Sequence, residues 1–387
     1  MRHHHSRFLG GAVGAGLALV LSCAGQPHHI PPPIPEPAPG EVEFSLYLIG
    51  DAGAPAAGGE PVLQALRTDL AGHAPALVVF LGDNVYPAGM PDSGDASRPE
   101  AERRLRAQID AVTESGARAI FVPGNHDWHK GKNDGWDRIR RQAEFVDQYG
   151  PEVEFLPRDG CPGPVMRDAG SRLRLMILDT QWYLHGGPKP GVESRCRVRR
   201  EQDWGDSTRA ALGRSGDREV VVVAHHPLLS TGPHGGHFTV KQHIFPLTEA
   251  AGWAWLPLPI IGSLYPLSRR SGISSQDQSS GRYQRMRAII DSAFDGNPPV
   301  VYAAGHEHHL EVMYPGHLPY LLVSGGGIYH HESVVGWRDE TLYAAAQAGY
   351  MRLDVLRNDR IRLGVVTVGP SGSGVERFSI YLEREGG

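Results

Sequence analysis

Short apolar runs that alternate with amphipathic stretches constrain the fold of this chain more than any other feature of its sequence. Each run has only four to six residues and is typical of a strand buried on both faces. The stretches between them are long enough to form helices that cover such a sheet. The runs lie at residues 44–49, 76–81, 117–122, 173–178, 220–223 and 300–304, and the helical stretches lie near 60–71, 99–115, 136–149, 201–213 and 281–294.

The C-terminal part of the chain adds strand candidates in which apolar and polar residues alternate more clearly. They lie at residues 318–323, 350–356, 361–367 and 377–382. The whole pattern predicts an α/β domain in which a system of two sheets carries helices on its outer faces. With 387 residues, 40% of them hydrophobic and 21% charged, the chain can form a substantial core, and disorder throughout is excluded.

The first 22 residues are typical of an export signal. Arg2 and Arg7 stand in a basic start, and the apolar stretch that follows is shorter than the roughly 20 residues needed to cross a bilayer. The stretch ends at Ser22-Cys23, which resembles the lipobox of bacterial lipoproteins. The sequence therefore predicts a protein of the bacterial envelope or periplasm that is lipid-anchored at Cys23. The alternative is a plain secretion signal in which Cys23 has no role.

Residues 23–42 are predicted to form an extended, stiff linker because their prolines exclude a helix or a sheet. The domain is predicted at residues 43–387, with an insertion near 238–280. Inside the insertion, residues 252–268 are apolar but carry Pro257 and Pro259, which argues against a helix or a membrane span. This segment is expected either to pack on the domain surface or to form a lid or rim beside the active site.

Charge and cysteine content narrow the choice of partners and compartment. Without residues 1–22 the chain has 36 basic and 43 acidic residues, a formal charge of −7, so nucleic acid is not expected as a partner. Cys161 and Cys196 are an even pair in a chain predicted to leave the cytosol, which favours a disulfide worth roughly 3 to 4 kcal/mol. Two free thiols or metal binding are the alternatives.

Five of the apolar runs end in residues that can bind metal ions. In α/β sheets, ligands gather at the carboxyl ends of the strands. A glycine before the metal-binding residue in four of the five cases fits a turn that brings the backbone close to an ion. One such end alone is an ordinary turn, but five together predict a metal site. The five ends are Gly50-Asp51, Gly82-Asp83, Gly124-Asn125-His126-Asp127, Ala224-His225 and Gly305-His306-Glu307-His308.

These five blocks, in this order, resemble the calcineurin-like metallophosphoesterases, whose blocks are an Asp, Gly-Asp, Gly-Asn-His-Asp or Gly-Asn-His-Glu, a lone His and Gly-His-x-His. Tyr86, three residues after Asp83, makes the match closer to the purple acid phosphatases, as does Gly53, where many relatives carry a histidine. The resemblance covers residues 45 to about 310. It implies a four-layer α/β/β/α sandwich of two mixed sheets flanked by helices.

The resemblance also implies a centre of two metal ions bridged by the carboxylate of Asp83. It assigns Asp51, Tyr86 and His308 to the first ion, and Asn125, His225 and His306 to the second. A phenolate ligand suits iron(III), whereas imidazoles and an amide suit a divalent ion such as iron, zinc or manganese. If Tyr86 is only a packed aromatic residue after a turn, a manganese or zinc pair is expected instead.

Two further histidines are candidates for catalysis. His126 follows Asn125 and is expected to face the bound phosphate, where it can stabilise charge on the phosphoryl oxygens. His234 lies nine residues after His225, a spacing that resembles the acid phosphatases, and can protonate the leaving oxygen. Each of the two can instead be a surface histidine that only forms hydrogen bonds. Asp127 is expected to orient a neighbour. The acids and histidines left without a role at the rim are Glu307, His129, His237 and His309.

The sequence thus predicts an exported phosphatase that hydrolyses phosphate monoesters, such as nucleotides or sugar phosphates, by direct attack of a metal-activated water. No Gly-x-Ser-x-Gly elbow precedes a suitable helix and no Walker loop is present, which argues against a serine nucleophile or an NTPase. Alternatives are a phosphodiesterase or nucleotidase on the same site, or a non-catalytic envelope lipoprotein that only binds. His226 and Ala52 replace a tyrosine and a tryptophan of the acid phosphatases, and we expect these differences to border the substrate.

Overall fold

A computed structural model of the chain describes residues 30–38, 40–72, 75–249 and 253–383. The predicted signal at 1–22 and the lipidation site Cys23 lie outside the described residues and stay predictions. In the linker, Ile34 is already held by the domain, because its backbone N–H donates to the Ser379 hydroxyl and its carbonyl accepts from Arg362. None of the described helices is long and apolar enough to cross a membrane.

The described strands form two mixed, seven-stranded sheets. The first has the order β14-β13-β12-β1-β2-β3-β4, with β1 to β4 parallel and β12 to β14 antiparallel. The second has the order β11-β9-β10-β8-β7-β6-β5 with a parallel centre. The strands are β1 Val42–Ile49, β2 Ala76–Phe80, β3 Arg118–Phe121, β4 Val153–Phe155, β5 Val165–Ala169, β6 Leu173–Ile177, β7 Glu219–Val223, β8 Val301–Ala304, β9 Leu310–Met313, β10 Tyr320–Ser324, β11 Thr341–Ala345, β12 Gly349–Leu356, β13 Ile361–Val368 and β14 Gly374–Tyr381.

The two faces of each central strand pack against different layers, because successive strand side chains point in opposite directions. In β1, Leu46 and Leu48 belong to the core between the sheets, whereas Tyr47 and Ile49 belong to the core under the helices. All four side chains are fully buried. The predicted four-layer α/β/β/α sandwich is therefore confirmed, and the continuous apolar runs follow from burial on both faces.

The helices cover the outer faces of the sheets through apolar residues spaced three or four positions apart. In the second helix, Ala101, Leu105, Ile109 and Val112 are buried on one face. All five predicted helices are present, with boundaries within a few residues. The described α-helices are Pro61–Gly72, Arg98–Thr113, Gly135–Val146, Thr180–Leu184, Gln202–Leu212, Val240–Ile244, Leu264–Arg270 and Gly281–Phe294.

The six predicted central strands and the four C-terminal ones are all found, and the elements that sequence reasoning missed are short. The missed strands are β4, β5, β9 and β11, of three to five residues each. The insertion, in its described residues, contributes helices but no strand. Cys161 and Cys196 form the predicted disulfide, which confirms that expectation.

Candidate metal centre

Loops after strands of both sheets converge at one edge of the sandwich. Asp51 follows β1, Asp83 follows β2 and Asn125 follows β3, while His225 and His306 follow β7 and β8 of the other sheet. Asp51, Asp83 and His306 have positive φ values of 60°, 55° and 71°. Such strained backbone conformations persist only where the surrounding structure enforces them, and they concentrate at functional sites.

One group of donor atoms is formed by Asp51, Tyr86 and His308. The Tyr86 hydroxyl lies 3.1 Å from Asp51 Oδ1 and 3.1 Å from His308 Nε2. Asp51 Oδ1 and His308 Nε2 are themselves 3.5 Å apart. Asp51 and His308 lie 35 and 222 residues from Tyr86 along the chain. Three separate segments thus bring donor atoms into one small volume.

A second group is formed by Asn125, His225 and His306. The Asn125 amide oxygen lies 2.9 Å from His225 Nε2 and 3.1 Å from His306 Nδ1, and these two nitrogens are 3.3 Å apart. Asp83 lies beside this group, with Oδ1 3.5 Å from His225 Nε2. Its ligand atom also lies within 4.8 Å of those of Asp51 and His225. The seven predicted ligands therefore come together as two groups with Asp83 beside both, while their role as ligands stays a prediction.

The three histidine rings of these groups are oriented by backbone carbonyls. When one nitrogen of a neutral imidazole donates its proton to a carbonyl, the other nitrogen carries no proton and can bind a metal ion. Proteins orient metal-binding imidazoles in this way. In each ring the remaining nitrogen is the one that faces the donor group. The contacts are His225 Nδ1 to the Leu81 carbonyl at 2.8 Å, His306 Nε2 to the Gln276 carbonyl at 3.2 Å and His308 Nδ1 to the His331 carbonyl at 3.2 Å.

The site concentrates negative charge that the chain itself does not neutralise. Asp51 and Asp83 are 1% and 2% exposed, and within the described chain neither forms an ion pair with a lysine or an arginine. Burial opposes ionisation of Asp51, but contact with His308 outweighs it and lowers the pKa of this carboxyl. Buried carboxylates of this kind require a compensating charge. The donor set therefore fits metal cations.

Tyr86 is protonated in the metal-free protein. Burial and the charge of Asp51 raise the pKa of its phenol well above the usual value near 10. The hydroxyl accordingly donates to Asp51 in the structure. Only a strongly polarising cation between the two groups would reverse this and produce a phenolate.

Glycines in the site loops allow the backbone to approach the donor side chains. A Cβ atom on Gly82 would lie 2.5 Å from His225 Nδ1, and Gly82 has a φ of +95°. A Cβ atom on Gly124 would lie 2.3 Å from Asp83 Oδ1. The glycines therefore permit the backbone to approach these side chains closely, whereas its approach to an ion stays a prediction.

Asp127 joins two of the loops, as predicted. Its buried carboxylate accepts hydrogen bonds from the backbone N–H groups of Asn84, Val85 and Gly124, and from the side chains of Asn84 and Gln142. Burial and the charge of Asp83 raise its pKa to about 7. The carboxylate therefore holds the loop after β2 against the loop after β3, and so positions Asp83 relative to Asn125.

The two predicted catalytic histidines both line the same cavity as the donor groups. His126 Nδ1 lies 2.8 Å from the Pro87 carbonyl, and its Nε2 lies 3.8 Å from Asp83 Oδ2. His234 Nδ1 lies 3.0 Å from Asp277 Oδ1 and 2.9 Å from Arg269 Nη2, which leaves Nε2 available to a substrate. The structure thus brings both to the site, while their catalytic roles stay predictions.

The cavity has a volume of about 1030 Å³ and extends well beyond the donor groups. Much of its wall comes from residues that sequence reasoning did not identify, because they lie on the insertion and on loops without any strand-end motif. They are Arg269, Ser274, Ser275 and Gln276 from the insertion, and Lys130, Gln181, Lys189, Glu201 and Arg282 from elsewhere. The mixture is polar and mainly cationic, which suits an anionic substrate.

Several residues lie elsewhere than expected. His226 and Ala52 are buried and do not line the cavity, so the expectation that they border the substrate is wrong. His226 has both ring nitrogens engaged, by Thr180 at 2.8 Å and by the Gln276 side chain at 2.8 Å, although it lies close enough to His225 and His306 to be a geometric ligand candidate. Its hydrogen bonds argue against that role.

Glu307 and His309 are not rim residues either, since both are buried. Glu307 accepts hydrogen bonds from the backbone N–H groups of His234 at 2.8 Å and Gly235 at 3.1 Å, so it positions the loop that carries His234. The pattern offered no signal for this, because Glu307 stands between two predicted ligands and its partners are more than 70 residues away.

The comparisons with known proteins agree with this fold and site. The calcineurin-like phosphoesterase family profile matches residues 44–310, more than half of the chain. The chain therefore belongs to the calcineurin-like phosphoesterase family, and it is a hydrolase that acts on phosphoric esters. The resemblance seen in the sequence motifs is confirmed. A comparison with curated protein sequences found no match.

Three solved structures share the fold at low sequence identity. GAP50, the anchor in the inner membrane complex of Plasmodium, is 13% identical with a TM-score of 0.53, over 89% of this chain and 90% of its own. The purple acid phosphatase PPD1 from yellow lupin (Lupinus luteus) seeds is 14% identical with a TM-score of 0.50, over 89% of this chain and 55% of its own. PhoD is 14% identical with a TM-score of 0.50, over 91% of this chain and 71% of its own. Such likenesses show the fold alone.

Proposed function

We propose that this chain is an exported phosphatase that hydrolyses phosphate monoesters at a centre of two metal ions. The observation that carries the proposal is the pair of donor groups beside Asp83, at one end of a large polar cavity that His126 and His234 also line. Family membership and these side-chain clusters both indicate two metal ions.

In this proposal Asp83, which lies beside both donor groups, would contribute its carboxylate to both ions. Asp51, Tyr86 and His308 would hold the first, and Asn125, His225 and His306 the second. When bound, the ions would supply the Lewis acidity that makes water a nucleophile near neutral pH and the charge that neutralises the phosphate. We assign iron(III) to the first position because of Tyr86, and a divalent iron, zinc or manganese to the second.

The remaining chemistry falls to the two cavity histidines. His126 donates its Nδ1 proton to the Pro87 carbonyl, so its Nε2 donates to a phosphoryl oxygen once the ring is protonated beside the phosphate. His234 presents Nε2 to the cavity and transfers a proton to the leaving oxygen. Asp277, buried and 3.0 Å from Nδ1, fixes the orientation of the ring.

The far wall of the cavity supports a polar or anionic leaving group. Lys189 and Arg282 contribute two cations that share the carboxylate of Glu201, and Lys130 adds a third to the cavity lining. The buried Gln181 Nε2 has no hydrogen-bond partner among the described residues. A sugar or nucleoside moiety would satisfy such a donor, which favours nucleotides and sugar phosphates over apolar esters.

Export and lipid anchoring at Cys23 remain part of the proposal. They are supported by the apolar segment at 8–21 with cysteine after it, and by the Cys161–Cys196 disulfide. Disulfides persist in oxidising compartments and are rare in the cytosol. We therefore place the protein in the bacterial envelope or periplasm, or outside the cell if Cys23 carries no lipid.

The test is an assay of purified protein with a phenyl phosphate monoester and the matching diester, together with metal analysis and a visible spectrum. We expect the monoester to be hydrolysed faster, two metal ions per chain, and a purple charge-transfer band that disappears in Tyr86→Phe. A large excess of diester hydrolysis would assign the chain to phosphodiesterases. A fully active, colourless protein without iron would reject the assignment to acid phosphatases.

A second candidate function is binding without catalysis, since GAP50 is described as an anchor and shares this fold. The complete donor set argues for catalysis, because a chain that only binds has no need for two carboxylates, three oriented imidazoles and an amide around one point. Retention of phosphate release after Asp83→Ala would favour the binding function.

A further inference from the structure

The insertion exposes an unusual number of large apolar side chains. Trp253 is 85% exposed, Ile260 88% and Ile273 79%. The domain leaves these side chains uncovered. We call the set the apolar rim, and each of its members is more than half exposed: Trp253, Trp255, Leu256, Ile260, Ile261, Leu264, Leu267 and Ile273. Exposed apolar surface of this extent marks an interaction site.

Hydrogen bonds within the insertion hold its backbone, and its apolar side chains lie on the outside. Leu258 donates its N–H to the Ile244 carbonyl at 2.7 Å, and His243 Nδ1 contacts the Ser263 hydroxyl at 3.0 Å. Gly262 lies so close to the His243 carbonyl that a Cβ atom would be 2.3 Å from it. These contacts define one conformation of the loop that presents the apolar rim to solvent.

Cations lie beside the apolar rim. Residues 250–276 contain no aspartate or glutamate, whereas Glu249 and Asp277 border this range. Asp277 pairs with Arg269, which leaves Arg270 as the cation that follows the apolar stretch. Lys241 lies with its Nζ 4.7 Å over the Trp255 ring. Tryptophan and aliphatic residues bordered by cations are typical of surfaces that enter the boundary between lipid headgroups and acyl chains.

We propose that the apolar rim inserts into the headgroup region of an anionic lipid bilayer. Tryptophan is favoured at that depth because its ring is apolar and its N–H remains hydrated. Lys241, over the Trp255 ring, and Arg270 are the cations beside the apolar rim that would bind lipid phosphates. A protein partner or a second copy of this chain would have to offer an apolar face of matching shape with acidic groups around it.

The linker sets how far from the domain a lipid on Cys23 could lie. Ile34 is held by Ser379, so a lipid on Cys23 would be separated from the domain by the 11 residues from 23 to 34. Eleven residues span at most about 40 Å. The insertion also lines the catalytic cavity through Arg269 and Gln276. Docking of the apolar rim would therefore hold the cavity close to the membrane surface.

The experiment measures quenching of tryptophan fluorescence by lipids with brominated acyl chains. The full chain is bound to vesicles of phosphatidylcholine and phosphatidylglycerol, with and without bromine. We expect strong quenching of the wild type, and its loss in the double variant Trp253→Ala/Trp255→Ala. Trp128, Trp182 and Trp204 are buried in the domain and supply the unquenched signal in both proteins.

A second variant keeps both tryptophans and removes the apolar anchor. Ile260→Asp/Ile261→Asp should abolish quenching and leave phosphate release from a soluble monoester unchanged, because both residues are exposed and neither lines the cavity. The matched control is Val192→Asp/Val375→Asp, which alters two exposed apolar residues outside the insertion and should leave quenching intact. The proposal does not depend on catalysis, since the readout is fluorescence.

Equal quenching in the wild type and in both rim variants would overturn the proposal. So would concentration-dependent dimerisation of the wild type, without quenching, that the same substitutions abolish, because the apolar rim would then bind a second copy. Weaker quenching in vesicles of phosphatidylcholine alone is the result expected from the cations beside the apolar rim.

Discussion

The molecule buries two clusters of carboxylates, and the two clusters differ in whether an arginine of the chain compensates the negative charge. In the donor groups, Asp51 and Asp83 have no arginine or lysine partner within the described chain. In the first sheet, Asp354 is completely buried but lies 3.0 Å from Arg352, and Glu376 lies 2.9 Å from Arg362. We call the latter the sheet cluster: Asp69, Arg352, Asp354, Arg362 and Glu376.

This difference distinguishes a structural cluster from a functional one. Taking a carboxylate out of water is costly unless a cation or several hydrogen bonds compensate it. In the sheet cluster each carboxylate contacts an arginine of β12 or β13. The donor groups supply imidazoles, an amide and a phenol around two carboxylates and, among the described residues, no arginine or lysine, so a compensating cation has to come from outside the chain. Substitutions in the two clusters should therefore have opposite consequences.

The largest effect is expected for Asp83→Ala. Loss of the bridging carboxylate should lower kcat/KM for a phosphate monoester by about 10⁴-fold, or roughly 5 kcal/mol of transition-state stabilisation. In the metal-free protein the same change should leave the free energy of unfolding unchanged or higher, since an uncompensated buried charge is removed. Steady-state kinetics and denaturant titration measure the two quantities. Wild-type activity in this variant would refute the bridging role.

Removal of metal should come next in size. A chelator should lower the free energy of unfolding of the wild type by about 4 kcal/mol if the ions are present at 1,000 times their dissociation constant. It should have much less effect on Asp83→Ala, in which the ions are no longer shared. An equal loss in both proteins would mean that the chelated metal is bound elsewhere.

In the sheet cluster, Asp354→Ala should lower the free energy of unfolding by about 3 kcal/mol. The carboxylate compensates Arg352 and also accepts from the Ser45 hydroxyl at 2.7 Å. Its loss leaves the buried Arg352 with one close carboxylate fewer, since Asp69 remains, and deprives the Ser45 hydroxyl of its acceptor. The kcat/KM of the folded protein should stay at the wild-type value. A variant with normal stability but reduced activity would show that the distinction between the clusters is wrong.

The smallest effect is expected for Asp277→Asn, which alters the positioning of His234 and the contact with Arg269. We expect about a tenfold loss of kcat, near 1.4 kcal/mol, for an alkyl phosphate whose leaving oxygen needs a proton. The loss should be smaller for a nitrophenyl phosphate, whose leaving group departs without protonation. Equal losses for both substrates would indicate that Asp277 supports the insertion rather than proton transfer.

How far the sequence predicts the site depends on how local each feature is. Asp51, Asp83, Asn125, His225 and the 305–308 block each stand directly after an apolar run, so a few adjacent residues were enough to identify them. The glycines before them carry the same local information. The cavity walls have no such pattern, because Gln276 and Asp277 reach the site through a long insertion of irregular structure.

The same contrast applies to the fold. The sequence alone determined the central strands, the covering helices and the strand-end donors, because burial on both faces and parallel strand ends impose patterns that are visible within a few residues. Only the tertiary structure decided which carboxylates meet an arginine, which residues of the insertion contact His234 and His306, and that the tryptophans of the insertion face outward. These depend on contacts between segments far apart in the chain, and local composition does not encode such contacts.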